Sequence, residues 1–147
     1  MLWEIRRDGK VTEKKIVFAT GKRKTAVARA RIRPGTGRVE VNQVPLDLWQ
    51  PEFARVKIRE PLMLADELSR NVDIQVNVRH GGVSSQADAS RQAIAKAMVE
   101  FFKDEKLKKM YLDYDRSLLV YDPRRTEPHK PSRSRKGARR HKQRSKR

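Results

Sequence analysis

Cysteine, long apolar runs and acidic residues are what this chain of 147 residues has least of. It contains no cysteine, which excludes disulfide bonds and thiolate metal sites and fits a reducing compartment. No apolar run approaches the roughly 20 residues that a membrane-spanning helix requires. Residues 1–15 carry a charge every few positions, which is not typical of a signal peptide. The sequence therefore predicts a soluble, intracellular protein.

Positive charge is what the chain has in excess. It carries 36 Lys and Arg against 18 Asp and Glu, a formal net charge of +18. Residues 122–147 hold 12 of the cations and two acids, which leaves a net charge of +8 on the remainder. Because both parts are basic, the composition argues against a neutral enzyme domain with a basic localisation tag. Such charge requires a dense polyanion as partner, either nucleic acid or an acidic membrane surface.

Hydrophobicity divides the chain into three predicted segments. Residues 1–15 form an N-terminal extension, and residues 16–121 are long enough for one globular domain with a modest core. Residues 122–147 contain Ala138 and three prolines as their apolar side chains, which is too little to offset the entropy of folding. We expect an extended basic tail there, which would span about 85–90 Å when fully stretched.

Alternating and helical periodicities within residues 16–121 predict an α+β fold. Strands are predicted at 16–20, 24–33, 38–42 and 72–78, and helices at 51–68, 84–102 and 107–114. Pro51 and Pro61 suit the first turns of helical segments. The element order favours a mixed four-stranded sheet with helices on one face.

One face of the predicted second strand is arginine-rich. Ala26, Ala28, Ala30 and Ile32 alternate with the outward residues Arg29, Arg31 and Arg33. The preceding Lys22, Arg23 and Lys24 resemble part of a phosphate-binding loop, but that motif needs a glycine where Ile16 stands and a hydroxyl where Arg23 stands. We therefore predict that these six cations contact a phosphate backbone rather than a nucleotide cofactor.

Other polar motifs have structural explanations. Gly81 and Gly82 predict a strand-to-helix turn, with Ser84 or Ser85 as the helix cap, although backbone N–H groups there could also meet a phosphate. Asp113 and Asp115 could hold a metal, but ion pairing with nearby arginines is favoured because no further ligand accompanies them. His80, His129 and His141 are isolated. We predict no cofactor, no metal site and no catalytic activity.

Three blocks of sequence resemble the small-subunit ribosomal proteins numbered nine, of the archaeal and eukaryotic type. They are Gly21-Lys22-Arg23-Lys24-Thr25-Ala26-Val27-Ala28-Arg29, then Gly81-Gly82 with Ser85-Gln86 and the alanines after it, and last Ala138-Arg139-Arg140 with Ser145-Lys146-Arg147. The Asp122-Pro123-Arg124-Arg125 block is similar to the archaeal and eukaryotic branch. His80 stands where that family often has the first of three glycines.

The resemblance implies a two-layer fold with a left-handed βαβ crossover, docked among neighbouring proteins on the head of the small ribosomal subunit in the cytoplasm. Small-subunit ribosomal RNA would be bound by the six cations above and by Arg124, Arg125, Lys130, Arg133, Arg135, Lys136, Arg139, Arg140 and Lys142. The end of the tail, Arg144, Ser145, Lys146 and Arg147, would approach the transfer RNA in the peptidyl site. The implied role is structural, in support of translation, with no membrane partner.

Two other function classes remain open at this stage. An RNA-processing enzyme would need a carboxylate cluster or a phosphate loop, and the sequence shows neither. A condensing protein would bind duplex DNA and RNA alike, and it has little need for a structured body with a single arginine face.

Overall fold

The computed structural model describes residues 16–130, so the predicted N-terminal extension and the tail beyond Lys130 lie outside the described residues. The elements, in chain order, are β1 (Val17–Arg23), β2 (Ala26–Pro34), β3 (Val39–Val41), β4 (Val44–Pro45), α1 (Glu52–Ala65), α2 (Glu67–Arg70), β5 (Val72–Arg79), α3 (Val83–Phe102) and α4 (Glu105–Tyr114). Short 3-10 helices at Leu46–Leu48 and Arg116–Leu118 complete the set. The predicted α+β class is confirmed.

The strands form one mixed sheet in the order β1-β2-β5-β3-β4. Antiparallel pairing joins β1 to β2, β2 to β5 and β3 to β4, whereas β3 and β5 are parallel. The prediction of four strands was wrong, because β4 is only two residues long and carries no detectable alternation. Within residues 16–130, no helix is both long enough and apolar enough to cross a bilayer.

Alternation along β2 and β5 places most of their apolar side chains on one face of the sheet. Ala26, Ala28, Ala30 and Ile32 of β2 are buried, as are the four alternating apolar residues of β5. Helix α3 covers this face across β1, β2 and β5, and α1 packs against α3. The opposite face of the sheet is left without a helical layer, as its exposed side chains on β2 show.

Small residues allow α3 to lie unusually close to the sheet. A Cβ at Gly21 would stand 2.0 Å from the Ala89 carbonyl oxygen and 2.6 Å from the Ala93 nitrogen. Because both atoms belong to the α3 backbone, no side-chain adjustment can make room. The predicted first strand stops at Thr20, before Gly21, but β1 continues through Gly21 to Arg23, and the glycine serves the contact with the helix.

Two predicted helix boundaries were wrong. Pro61 lies inside α1 rather than in a first turn; its ring is buried and its carbonyl accepts a 2.7 Å hydrogen bond from the Tyr111 hydroxyl. Helix α3 begins at Val83 with Gly82 as its N-cap and no side-chain cap, so Ser84 and Ser85 do not cap it.

The predicted turn before α3 is confirmed. His80 and Gly81 there have φ angles of 61° and 72°. His80 therefore adopts the left-handed backbone that glycine adopts more readily.

Replacing Gly21 with alanine tests the close contact between β1 and α3. We expect Gly21→Ala to lower the free energy of unfolding by at least about 2 kcal/mol, because backbone must move to admit the methyl group. The measurement is urea-induced unfolding followed by circular dichroism. Gly82→Ala is the matched control, since nothing lies within 4 Å of its Cβ position and its φ is −90°. Equal losses in the two variants would contradict the proposed contact.

Candidate nucleic-acid interface

The face of the sheet opposite α3 is the basic surface of the folded domain. Arg29, Arg31 and Arg33 project from β2, and the strand register places Asn77, Gln75 and Asp73 of β5 opposite them in that order. Arg79, at the end of β5, pairs with Val27 and shares the same face. We call the four arginines 29, 31, 33 and 79 the arginine face. The predicted outward direction of the three β2 arginines is confirmed.

Most of the arginine face carries uncompensated charge. Arg29, Arg31 and Arg79 are exposed, and within residues 16–130 their side chains make no ion pair or hydrogen bond. Arg33 differs, because its guanidinium lies 3.4 Å from the Asp73 carboxylate. Exposed guanidinium groups in a row on a rigid sheet suit repeated phosphate contacts, since each presents a planar fork of donors.

Asp73 explains why Arg33 is partly neutralised. Its carboxylate accepts hydrogen bonds from the backbone N–H groups of Thr36, at 3.0 Å, and Arg38, at 3.2 Å, and so braces the turn between β2 and β3. Partial burial raises the pKa of Asp73, but these two hydrogen bonds and the charges of Arg33 and Arg38 outweigh it, so the pKa lies below the ordinary value of 3.8.

Arg23 belongs to a different part of the molecule. It lies opposite Ala26 on the side of the sheet that α3 covers, and its guanidinium contacts the carboxylates of Asp122 and, at 3.9 Å, Asp88. Lys57 also reaches Asp88, at 3.0 Å. Arg23 is therefore engaged by acids of its own chain, and its predicted phosphate contact stays a prediction.

The segment from Val120 to Arg125, which we call the tail root, is fastened to this ion-pair cluster. Arg124 lies 2.7 Å from the Asp122 carboxylate that Arg23 also contacts. Arg125 donates to the Tyr121 hydroxyl at 2.8 Å and lies over the Tyr121 ring at 5.6 Å. The start of the tail is thus held against the helical layer rather than against the arginine face.

A buried glutamine completes this attachment. The Gln92 side chain accepts a hydrogen bond from the Lys22 N–H at 2.9 Å and donates to the carbonyls of Ser117, at 3.3 Å, and Val120, at 2.9 Å. Gln92 is 4% exposed, so all three groups would lose partners if its amide were removed. One side chain of α3 therefore joins the β1 edge to the tail root.

The remaining predicted cations are placed as follows. Lys22 lies opposite Val27 on the face shared with Arg29, and Lys24 is exposed in the turn between β1 and β2 with a φ of 52°. Lys130 lies 4.0 Å from Glu127. The predicted tail sites Arg133, Arg135, Lys136, Arg139, Arg140, Lys142, Arg144, Ser145, Lys146 and Arg147 lie outside the described residues.

Asp115 belongs to a group of ion pairs around Arg91. Asp115 contacts Arg91 and accepts from the Ser117 N–H at 2.8 Å, and Arg91 also lies 2.8 Å from Glu60. Burial raises the pKa of Asp115, but the Ser117 hydrogen bonds and the Arg91 charge bring it below the ordinary value. No group of three metal-ligating side chains occurs within residues 16–130. The predicted ion pairing is confirmed for Asp115, whereas Asp113 makes no ion pair within those residues.

Sequence reasoning missed Arg79. The alternation from Val72 to Val78 was recognised, and one more step of the same period places Arg79 on the polar side of β5. The strand register then brings it beside Arg29, which no local pattern indicates.

The acidic brace at Asp73 gives a pH-dependent prediction. Because its pKa is lower in the folded state, the stabilising contribution of Asp73 is complete above pH 3.8 and is lost as the pH falls through the folded value. We expect Asp73→Asn to cost about 1–2 kcal/mol at neutral pH. The measurement is urea unfolding of both proteins across this pH range.

The difference between the unmodified protein and Asp73→Asn should shrink in acid. Asp113→Asn is the control, because Asp113 is exposed and makes no ion pair or hydrogen bond in the described part of the chain. A cost at Asp73 that is independent of pH would contradict this role of its carboxylate.

Comparisons with known proteins show which family the chain belongs to. The family described as Ribosomal protein S9/S16 matches residues 21–147. The chain is 49% identical over 131 residues to the small ribosomal subunit protein uS9 of Methanococcus maripaludis, covering 89% of this chain and 98% of that protein. The same values hold for the protein of that name from Methanococcus vannielii. The chain therefore belongs to the ribosomal protein S9/S16 family, as a member of archaeal type.

Proposed function

We propose that this chain is a structural constituent of the small ribosomal subunit and supports translation in the cytoplasm. Its globular domain binds small-subunit ribosomal RNA in the head of the subunit, beside neighbouring head proteins. Its C-terminal residues Arg144 to Arg147 reach the transfer RNA in the peptidyl site. The proposal assigns the chain no catalytic activity and no cofactor.

The observation that carries this proposal is the arginine face. Three of its four guanidinium groups have no acidic partner in the described residues, whereas Asp73 partly neutralises the fourth, Arg33. Elsewhere on the domain, acids neutralise Arg23 and Arg124. A row of unpaired cations on a rigid sheet suits a polyanion as its ligand, because the charges of a polyanion also repeat. A small molecule with a single negative charge could pair with only one of these cations. Membership of the family supports RNA as that polyanion.

The attachment of the tail root supports a division of labour between domain and tail. Gln92 and the Arg23–Asp122 contact fix where the chain leaves the domain. We propose that residues 122–147 then extend as a basic tail from that point, with residues 1–15 as a separate extension. Because residues 122–125 are held in the tail root, the 22 residues beyond them span roughly 73–79 Å when fully extended, so domain and tail can bind distant sites.

The proposal also includes the hand of the connection between β3 and β5. These strands are parallel neighbours and are joined through α1 and α2, which makes a βαβ unit. The resemblance to the ribosomal family supports a left-handed crossover, the less common hand for such units.

Reversing charge on the arginine face tests ribosomal RNA binding. We expect Arg29→Glu with Arg31→Glu to weaken binding to small-subunit RNA by roughly tenfold or more, because two charged contacts become repulsive. The slope of log affinity against log salt should fall by about two. Filter binding measures both quantities, and sucrose-gradient sedimentation shows whether the variant still enters small subunits.

The matched control makes the same charge change elsewhere. Lys106→Glu with Lys109→Glu alters two exposed lysines of α4, away from the arginine face. Circular dichroism should show that both variants remain folded. An equal loss of RNA affinity in both variants would refute a specific role for the arginine face.

Removing Ser145 to Arg147 tests the proposed contact with transfer RNA. We expect the shortened chain to fold and to enter small subunits, because the globular domain and most tail cations are retained. Binding of transfer RNA in the peptidyl site should weaken, as measured on purified subunits by filter binding. Failure of the shortened chain to enter subunits would show that these residues serve assembly instead.

A further inference from the structure

One end of the arginine face contains a groove with the composition of a nucleobase pocket. Its volume is about 540 Å³, within the range of roughly 300–1,000 Å³ that is typical of small-molecule sites. It is lined by Val27, Arg29, Gln43, Asn77, Arg79 and His80. The groove therefore offers one aliphatic side chain, two planar cations, one imidazole and two amides.

The polar side chains of this groove are available to a ligand. Within residues 16–130, the side chains of Gln43, Asn77, Arg79 and His80 make no hydrogen bond or ion pair, and all four residues are exposed. The next row of the sheet differs, because the Gln75 amide lies 3.5 Å from the Glu40 carboxylate. The free donors and acceptors are thus concentrated at the end of the face that contains the groove.

Unusual backbone holds both walls of the groove in place. Gln43 and His80 have φ angles of 66° and 61°, although neither is glycine. Asn42, before Gln43, ties its turn to β5: its side chain donates to the Val78 carbonyl at 3.2 Å and accepts from the Val78 N–H at 2.8 Å. Non-glycine residues in this region of backbone space are concentrated at binding sites, where surrounding structure keeps them there.

We propose that this groove binds one unpaired nucleotide of RNA. The base stacks on the planar side chains of Arg79 and His80, while the amides of Asn77 and Gln43 hydrogen-bond its edge. Arg29 contacts the adjoining phosphate. Unpaired bases are recognised in this way, by planar side chains against the ring and amides along its edge. A duplex backbone would need cations alone and leaves the two amides without a role.

The inference rests on the proposed function, since it takes RNA as the partner. It differs from that proposal in a measurable way, because phosphate contacts do not depend on bases whereas a base pocket does. The full-length chain can therefore be compared on two probes, a short oligouridine and an abasic strand of equal length. The tail binds the phosphates of both probes, so the ratio of the two affinities isolates the contribution of the bases.

We expect the unmodified chain to prefer the oligouridine by roughly tenfold, the contribution of one stacked base. Gln43→Ala with Asn77→Ala should remove much of this preference while leaving the affinity for the abasic strand unchanged. Arg79→Lys should act similarly, because it keeps the charge and removes the planar group. The controls are Gln50→Ala, an exposed amide outside the groove, and Arg70→Lys on α2.

Photo-crosslinking locates the base directly. Oligouridine containing 4-thiouridine should form adducts with peptides spanning residues 27–31 or 77–80 of the unmodified chain, as identified by mass spectrometry. Equal affinity for the two probes would overturn the proposal, and so would a preference that survives both groove variants. In either case retained binding of the abasic strand leaves the proposed function intact, whereas binding of neither probe would refute the proposed function as well.

Discussion

The close contact between α3 and the sheet is the constraint on which the rest of the domain depends. Gly21 in β1 and the alanines of β2 present a nearly flat surface, and α3 packs on it with its small residues Ala89 and Ala93. Side chains this small bring two backbones together, and the contact leaves no space for even one added methyl group at Gly21. Because β1, β2 and β5 all contact α3, one face of the sheet is buried in the core.

The other face carries no helical layer within residues 16–130, and the positions of the acidic residues decide which cations of the domain are paired. Asp73 forms an ion pair with Arg33 and braces a turn, while Asp88 and Asp122 form ion pairs with Arg23. These pairs leave Arg29, Arg31 and Arg79 without acidic partners in the described residues. Ion pairs on an exposed surface contribute little stability. Their effect here is to divide the cations of a basic sequence into those with an acidic partner and those without one in the described residues.

The buried side chain of Gln92 connects the sheet to the start of the tail. Its amide bonds to β1 on one side and to the carbonyl of Val120 on the other, in a place where unmade hydrogen bonds are costly. The tail root is therefore part of the folded domain, although the sequence assigns its charged residues to a segment without a core. The chain therefore leaves the folded domain at a fixed point.

Periodicity in the sequence determined most elements of the fold, because burial on one side of a strand or helix has to appear as a repeat of two or about 3.6 residues. The alternation in β2 predicted both the alanine layer and the direction of Arg29, Arg31 and Arg33. Elements without a repeat were not predicted, and β4, which has two residues, is one of them. The position of Pro61 inside α1 was also not predicted, because the burial of its ring depends on tertiary packing. The sequence also determined the polyanionic partner class, since net charge does not depend on folding.

Only the tertiary structure decided which cations lie together on one face of the sheet. Arg79 lies beside Arg29 because the register of β2 and β5 pairs Val27 with Arg79. The hydrogen bond from Val78 to Asn42 holds the turn that carries Gln43 against β5, close to His80 at the end of that strand. Arg23 and Arg33 match the local pattern of Arg29 and Arg31, yet distant acids engage both. Pairing of this kind depends on distances through space, whereas a sequence pattern records only distances along the chain.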